Sequence, residues 1–370
     1  MQDSKNIFLI AGRTGGPFFP LPTISKNLIG INPIIIGIRG GFEDHVANQN
    51  NLEIHYLPDT RLTLWTFKTE KIREKIKNYL DLVKNLFLLF WSFLKSFYLL
   101  LKFKPKLIYS TGSFLAVPII FSCGLTNFLR LTKTKIAVHQ QDPEPGLANR
   151  LTAPRADFLS CVFQYTIDNF KIFKDAWLTP NPINTGLYEN DETFENQELS
   201  NFVKPQSKSI LLIFGGGSGS QDINLWALKY LDQLLINFRV VHLTGILQKD
   251  SLPEVKNQGY IRFQALLSDM SKILKQSDLV LCRAGIASIT ELLFLQKPTY
   301  LVPLPSTHQE KNAQLVSQYF YVLQQKDRPD WISKINSSFP KYFQKIKFPD
   351  KNTTKSDLQK YYTKIQSLID

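Results

Sequence analysis

Short apolar runs recur along the chain, separated by stretches whose apolar residues fall three and four apart. Ile7–Ala11, Pro33–Ile38, Leu107–Ser110, Lys135–His139 and Phe158–Val162 lie in the first half. Ser209–Phe214, Arg239–Leu243, Leu279–Cys282 and Tyr300–Pro303 repeat the logic in the second. Runs this short, rich in β-branched and aromatic residues and apolar on both faces, predict parallel strands covered by helices. Such a pattern predicts an α/β protein of two Rossmann-like domains facing across a cleft. The polar, acidic stretch after Asn181-Pro182 predicts a linker near 182–205. The expected domains are 1–182 and 183–348, followed by a helix over 349–370 with Leu358, Tyr361, Ile365 and Leu368 on one side.

Each half opens with the same device. Ile7–Ala11 runs into Gly12-Arg-Thr-Gly-Gly16, and Ile210–Phe214 runs into Gly215-Gly-Gly-Ser-Gly219. A strand that ends in a glycine-rich turn and opens a helix exposes backbone N–H groups at a positive dipole end, which suits phosphate. The alternative for either loop alone is a tight turn. Neither ends in Gly-Lys-Ser/Thr, and Gly12 to Gly16 lacks GxGxxG spacing, which disfavours a P-loop nucleotidase and a dinucleotide fold.

Residues 77–103 form the most apolar stretch. Lys77, Lys84, Lys95 and Lys102 fall on one side at about 100° per residue, and Asp81, Asn85, Ser92 and Ser96 continue that polar stripe. A wide face of Leu, Phe, Tyr and Trp is left over. It reads either as a buried helix whose polar edge reaches solvent or as a helix lying in the plane of an anionic membrane, flanked by Lys68, Lys71, Arg73, Lys75, Lys104 and Lys106. Lys95 interrupts what a membrane-spanning helix would need.

The densest chemistry lies at Cys282-Arg-Ala-Gly-Ile-Ala-Ser-Ile-Thr-Glu291, after a strand and opening a helix. Gly285, Ile286, Ala287 and Ser288 then present free N–H groups to a diphosphate, and Glu291 can accept both hydroxyls of a ribose. Arg283 lies in the same turn. The competing reading pairs Glu291 with Ser288 as a capping box. His308 and Gln309 open a further helix after Pro303.

Composition narrows the class. The 370 residues carry 44 Lys and Arg against 31 Asp and Glu, a net charge of +13, so anionic partners are favoured. No helix-turn-helix, RRM or zinc pattern accompanies that charge, and a nucleic-acid role is the weakest reading. Cys123, Cys161 and Cys282 lack CxxC spacing, which fits a reducing compartment and neither a disulfide framework nor a zinc site. The polar start and short first apolar run do not resemble a signal peptide, so a cytoplasmic location is expected.

These motifs together, AGRTGGPFFP (11–20), STGSFLAVP (110–118), VHQQDPEPGLANR (138–150), NPINT (181–185), GGGSGS (215–220), LLSDM (266–270), CRAGIASITE (282–291) and HQEKNA (308–313), resemble the MurG family of N-acetylglucosamine transferases in the same order along nearly the whole chain. The resemblance implies a GT-B fold and an inverting, metal-independent mechanism without a cofactor. It also implies UDP-N-acetylglucosamine as donor co-substrate and an undecaprenyl-diphosphate-linked sugar, lipid I, as acceptor. It favours the membrane reading of helix 77–103, peripheral attachment at the cytoplasmic face, and a final helix packed back on the N-terminal domain. Carried over, the donor site falls on Thr14, Gly15, Gly16, Asn184, Gly216, Gly217, Ser218, Leu267, Arg283, Gly285, Ile286, Ala287, Ser288, Ile289, Thr290, Glu291, His308 and Gln309, with Asp142 near the sugar. Gly12, Arg13, Thr14, Gly112, Ser113, Phe114, Gln140 and Gln141 fall on the acceptor side.

The chain departs from the family at several of these places. The family's GGTGGH loop has Arg13 for a glycine and Pro17 for its histidine, and proline has no titratable group. HEQN becomes His139-Gln140-Gln141-Asp142, and the arginine expected after NPV is Asn184. Gly217 stands at the family's GGS serine, with Ser218 beside it, and GGY becomes Gly112-Ser113-Phe114. Asp142 is the expected general base and His139 the second candidate. The alternative for Asp142, before Pro143, is an ordinary turn residue. Competing functions are a GT-B transferase with another UDP-sugar or lipid-linked acceptor, and a non-catalytic protein that binds lipid intermediates.

Overall fold

The computed structural model describes residues 5–12, 15–49, 52–59, 72–205, 207–246, 252–266, 268–338, 343 and 346–370. They form two compact units, residues 1–179 with 361–370, and residues 180–360.

The first unit is a seven-stranded sheet in the order β3-β2-β1-β4-β5-β6-β7. Its strands are β1 (Lys5–Ile10), β2 (Ile31–Gly37), β3 (Ile54–Tyr56), β4 (Leu107–Ser110), β5 (Lys135–Gln140), β6 (Phe158–Cys161) and β7 (Trp177–Leu178). Every pair is parallel, with Ile7 opposite both Pro33 and Leu107. Phe8, Ile10, Ile34, Ile36, Ile108, Ile136 and Val138 fill one buried layer with Leu99, Leu100, Ile119 and Ile120 from the covering helices. This is why the central strands read as continuous apolar runs.

The second unit is a six-stranded parallel sheet in the order β10-β9-β8-β11-β12-β13. Its strands are β8 (Ser209–Phe214), β9 (Phe238–Leu243), β10 (Tyr260–Phe263), β11 (Leu279–Arg283), β12 (Thr299–Val302) and β13 (Tyr321–Val322). Leu211, Ile213, Val240, Leu279, Leu281, Tyr300 and Trp331 lie in its core.

The stretch expected as the linker is fastened at several points. Asn196 caps helix Gln197–Val203, accepting from Leu199 N, and the Asp269 carboxylate accepts from Glu195 N and Asn196 N at 2.9 Å each. Lys275 Nζ donates to Glu189 O at 2.6 Å. Charged groups outside the stretch, Asp269 and Lys275, hold its backbone to its own unit, and the division of the chain falls earlier, between Thr179 and Pro180.

Helix Lys351–Ile369 closes the chain, and from Tyr361 onward it belongs to the first unit. Tyr361, Tyr362, Ile365 and Ile369 are buried, while Leu368 is only half-buried. Tyr361 Oη lies 2.9 Å from Tyr109 Oη and 3.1 Å from Ser160 Oγ.

Helix Ile72–Phe103 overturns the buried-helix reading and part of the expected stripe. Ser92 and Ser96 are buried, and Ser122 Oγ of helix Ala116–Phe128 donates to Phe93 O at 2.9 Å. Small side chains let the two helices close on each other. The aromatic side stays in solvent: Tyr79, Phe87, Phe90, Trp91 and Tyr98 are each more than half exposed. Lys84, Lys95 and Lys102 are also exposed. Lys68 and Lys71 lie outside the described residues.

Candidate functional site

In the first unit the candidate residues gather where β1, β4 and β5 end. A Cβ on Gly12 would come within 2.2 Å of Ser113 Oγ, so the turns after β1 and β4 can touch only with glycine there. Thr111 Oγ1 donates to Pro17 O at 2.6 Å, and Gln141 Nε2 donates to Thr111 O at 3.2 Å and Gly16 O at 3.4 Å. Gly12, Gly16, Gly112, Ser113, Gln140 and Gln141 are thereby brought together. Thr111 and Asn149 join them, and neither was singled out from the sequence although both lie in quoted motifs. Gly15 is buried in the short helix Gly15–Phe18, and Phe114 is half-buried. Arg13 and Thr14 lie outside the described residues.

His139 directly precedes Gln140 on β5. It is fully buried, with Nδ1 2.9 Å from Ser160 Oγ and its ring against Tyr361. Its ring thus packs beside Ser160 and Tyr361 on the strand that carries Gln140. Asp142, just beyond the strand end, is half-buried.

In the second unit three strand ends meet. The turn Gly215–Ser220 follows β8, Ala284-Gly285 follows β11, and helix His308–Leu315 follows β12. Gly219 and Gly245 approach so closely that a Cβ on Gly245 would lie 2.1 Å from Gly219 Cα, and Ile246 N donates to Gly217 O at 3.0 Å. Asn312, fully buried, donates to Ala284 O at 3.1 Å and fastens the β12 helix to the β11 turn. Its place in HQEKNA was the available signal. Leu267 lies outside the described residues.

Gly285 is the N-cap of helix Ile286–Leu295. Ile286, Ala287 and Ser288 are therefore its first three residues, whose N–H groups have no intrahelical acceptor. The next N–H, of Ile289, is committed to Gly285 O at 3.0 Å, and Thr290 Oγ1 donates to Ile286 O at 2.7 Å. Ser288 is inside the helix and not its cap, which removes the capping-box reading of Glu291.

Glu291 instead accepts from Asn184 N through Oε1 at 3.4 Å. It keeps some solvent contact, yet burial pushes its carboxyl up to about 7, with the Asn184 hydrogen bond acting in the other direction. Asn184 Oδ1 accepts from Gly186 N at 2.9 Å, so both its polar ends hold the turn. Tyr188, four residues on, packs edge-on against Phe294, and burial together with the nearby Glu291 raises its hydroxyl.

Arg283 is also engaged from within. It is buried, with Nε 3.1 Å from Ser220 Oγ, one terminal nitrogen 2.8 Å from Gln325 Oε1 and the other 3.5 Å from Asp222. Burial lowers its pKa and Asp222 offsets part of that shift. The guanidinium braces the glycine turn against the ends of β11 and β12. Gln309 Oε1 accepts from Leu304 N at 3.1 Å, and His308 is exposed beside it.

The chain matches the N-terminal domain of glycosyltransferase family 28 over residues 7–159 and the C-terminal domain of that family over 210–368. A Clostridium botulinum strain 657 protein named UDP-N-acetylglucosamine--N-acetylmuramyl-(pentapeptide) pyrophosphoryl-undecaprenol N-acetylglucosamine transferase is 32% identical over 306 residues, covering 81% of this chain and 79% of its own length. The chain belongs to the MurG family of glycosyltransferases. A Clostridium kluyveri protein of the same name is 28% identical over 93% of this chain and 94% of its own length. The crystal structure of Acinetobacter baumannii MurG superposes with a TM-score of 0.62 at 17% identity, covering 99% of both chains. The fold is GT-B, two parallel-sheet Rossmann-like domains.

MurG membership makes the departures specific. Pro17 sits where the family motif has histidine, and its carbonyl is an acceptor for Thr111. Cys123, Cys161 and Cys282 are free and buried, and burial pushes the Cys161 thiol up to about 11, so none is a poised nucleophile.

Proposed function

We propose that this MurG-family chain transfers N-acetylglucosamine from UDP-N-acetylglucosamine to the lipid-linked muramyl-pentapeptide acceptor, lipid I, with inversion at the sugar carbon. The observation that carries the reading is the start of helix Ile286–Leu295. Its first N–H groups point out of the strand end after β11, with the Glu291 carboxylate one turn further in. The N–H groups would hold the donor diphosphate and neutralise charge as UDP leaves, while Glu291 accepts the ribose hydroxyls.

The cluster at the ends of β1, β4 and β5 would take the acceptor. Asp142 would accept the proton of the attacking hydroxyl as the new glycosidic bond forms and the bond to UDP breaks. Pro17 cannot take that proton. No metal step is needed in this scheme, because the helix N-terminus supplies the leaving-group stabilisation.

The exposed aromatic face of helix Ile72–Phe103, with Lys84, Lys95 and Lys102 beside it, supports peripheral attachment to an anionic membrane at the cytoplasmic face. Residues 79–103 are also long and apolar enough to cross a membrane by length and composition. The packing of Ser92 and Ser96 against helix Ala116–Phe128 favours the in-plane arrangement.

The test is transfer of labelled N-acetylglucosamine from UDP-N-acetylglucosamine to a short-chain lipid I analogue, beside Glu291→Ala and Asp142→Asn. Product from the parent, lost in both variants, supports the scheme. Undiminished turnover by Asp142→Asn removes the base assignment, and absence of product with donor binding intact removes the acceptor.

A further inference from the structure

Four consecutive residues, Asp142-Pro143-Glu144-Pro145, follow the end of β5. Proline has no N–H, so this turn cannot be fastened through the backbone donors of 143 and 145. It is fastened through its carbonyls. Gln140 Nε2 donates to Asp142 O at 2.6 Å and to Glu144 O at 3.3 Å. Thr166 Oγ1 donates to Pro143 O at 2.9 Å, and Arg150 Nε donates to Pro145 O at 2.8 Å.

Gln140 is the centre of this arrangement. It is buried, and its Oε1 accepts from Asn149 Nδ2 at 2.5 Å, so the two ends of the amide are distinguished by their partners. A carboxylate in the same place would set a negative oxygen against two carbonyl oxygens and would have nothing to donate. The family motif HEQN has its carboxylate at this position and its amide two residues later. Here the amide is Gln140 and the carboxylate is Asp142.

We infer that Gln140 is a positioning residue that fixes the backbone carrying Asp142. The role rests on the proposed base assignment of Asp142. Gln140 itself touches no reacting atom. It holds the turn so that the Asp142 side chain leaves the strand end in one direction.

The experiment compares Gln140→Glu, Gln140→Met, Asp142→Asn and the double variant Gln140→Glu/Asp142→Asn. Transfer kinetics with UDP-N-acetylglucosamine and a short-chain lipid I analogue are measured from about pH 6 to about pH 8.5, with thermal melting alongside. Gln140→Glu is expected to lose about tenfold or more of kcat/KM for the acceptor at high pH, the effect of one or two hydrogen bonds, with the donor KM unchanged. Its activity relative to the parent rises as pH falls, because a protonated glutamic acid donates again. Gln140→Met stays low at every pH, and the double variant is no slower than Asp142→Asn alone.

Parent-like activity of Gln140→Glu at all pH values overturns the inference. So do equal, pH-independent losses in both Gln140 variants with lowered melting temperatures, or losses that multiply in the double variant. Full turnover by Asp142→Asn removes the base reading by itself, whatever Gln140→Glu does. If the parent transfers nothing, the pH-dependent ratio is read in binding of the acceptor analogue, and a flat ratio there overturns the inference equally.

Discussion

The backbone N–H of Asn184 lies 3.4 Å from Oε1 of Glu291, tying the turn near the start of the second unit to the helix that opens after β11. The hydrogen bond favours the ionised carboxyl, and burial outweighs it. Glu291 therefore titrates near neutrality, where an ordinary glutamate is fully charged.

A raised carboxyl pKa in the folded state makes a favourable contribution below the unfolded value that is lost as pH rises through about 7. Glu291→Gln should raise the melting temperature at about pH 8, by an amount on the order of 1 kcal/mol after discounting for residual solvent contact, or about 2–4 °C. The same variant should weaken donor binding. In the parent, the Kd for UDP-N-acetylglucosamine should fall as pH rises through about 7, because the carboxylate is the better acceptor for ribose hydroxyls. Calorimetric titration at several pH values checks both, and a pH-independent Kd in the parent contradicts the ribose assignment.

Arg283 braces the glycine turn through Ser220, Gln325 and Asp222. Arg283→Ala leaves those groups without their shared partner and should destabilise the protein by about 3 kcal/mol. Arg283→Lys keeps the charge but not the planar fork and should recover only part of the loss. Thermal melting reads the stability. A donor KM raised in step with the loss of stability would place the residue's effect in the loop, whereas a raised KM at parental stability would point to direct phosphate contact.

His242 is fully enclosed, with Nδ1 2.9 Å from Tyr260 Oη and Nε2 3.0 Å from Asn224 Oδ1. Burial, reinforced by Arg262, lowers its pKa to about 3. A histidine depressed in this way contributes stability that is present above its unfolded pKa of about 6.5 and is lost as pH falls toward about 3. Between about pH 6.5 and pH 4 the loss should be on the order of 2–3 kcal/mol. His242→Gln should flatten that part of the acid limb in urea unfolding, and an unchanged slope would contradict the assignment.

The aromatic face of helix Ile72–Phe103 is outside the core. Replacing Phe87, Phe90 and Trp91 together by serine should therefore leave the melting temperature within about 2 °C of the parent. Binding to anionic vesicles should weaken at least about a hundredfold, at roughly 1.5 kcal/mol or more per aromatic group. Vesicle flotation measures it. A large drop in melting temperature with vesicle binding unchanged would mean that this face is covered by protein.

The apolar runs by themselves determined the α/β class, the two-unit repetition and every central strand, because a strand enclosed on both faces must be apolar along its length. The four strands they did not reveal, β3, β7, β10 and β13, are the four sheet edges. An edge strand has one neighbour and needs no continuous apolar run, so Ile54–Tyr56 and Trp177–Leu178 look like loop in isolation. Glycine and helix-start patterns likewise marked the turns after β1, β8 and β11. What they could not decide was which polar side chains face inward. Burial set His139 beside Ser160 and Tyr361, internal bonds engaged Arg283, and close packing on helix Ala116–Phe128 drew Ser92 and Ser96 inside. A side chain's partners come from residues distant in the chain, and only the folded arrangement supplies them.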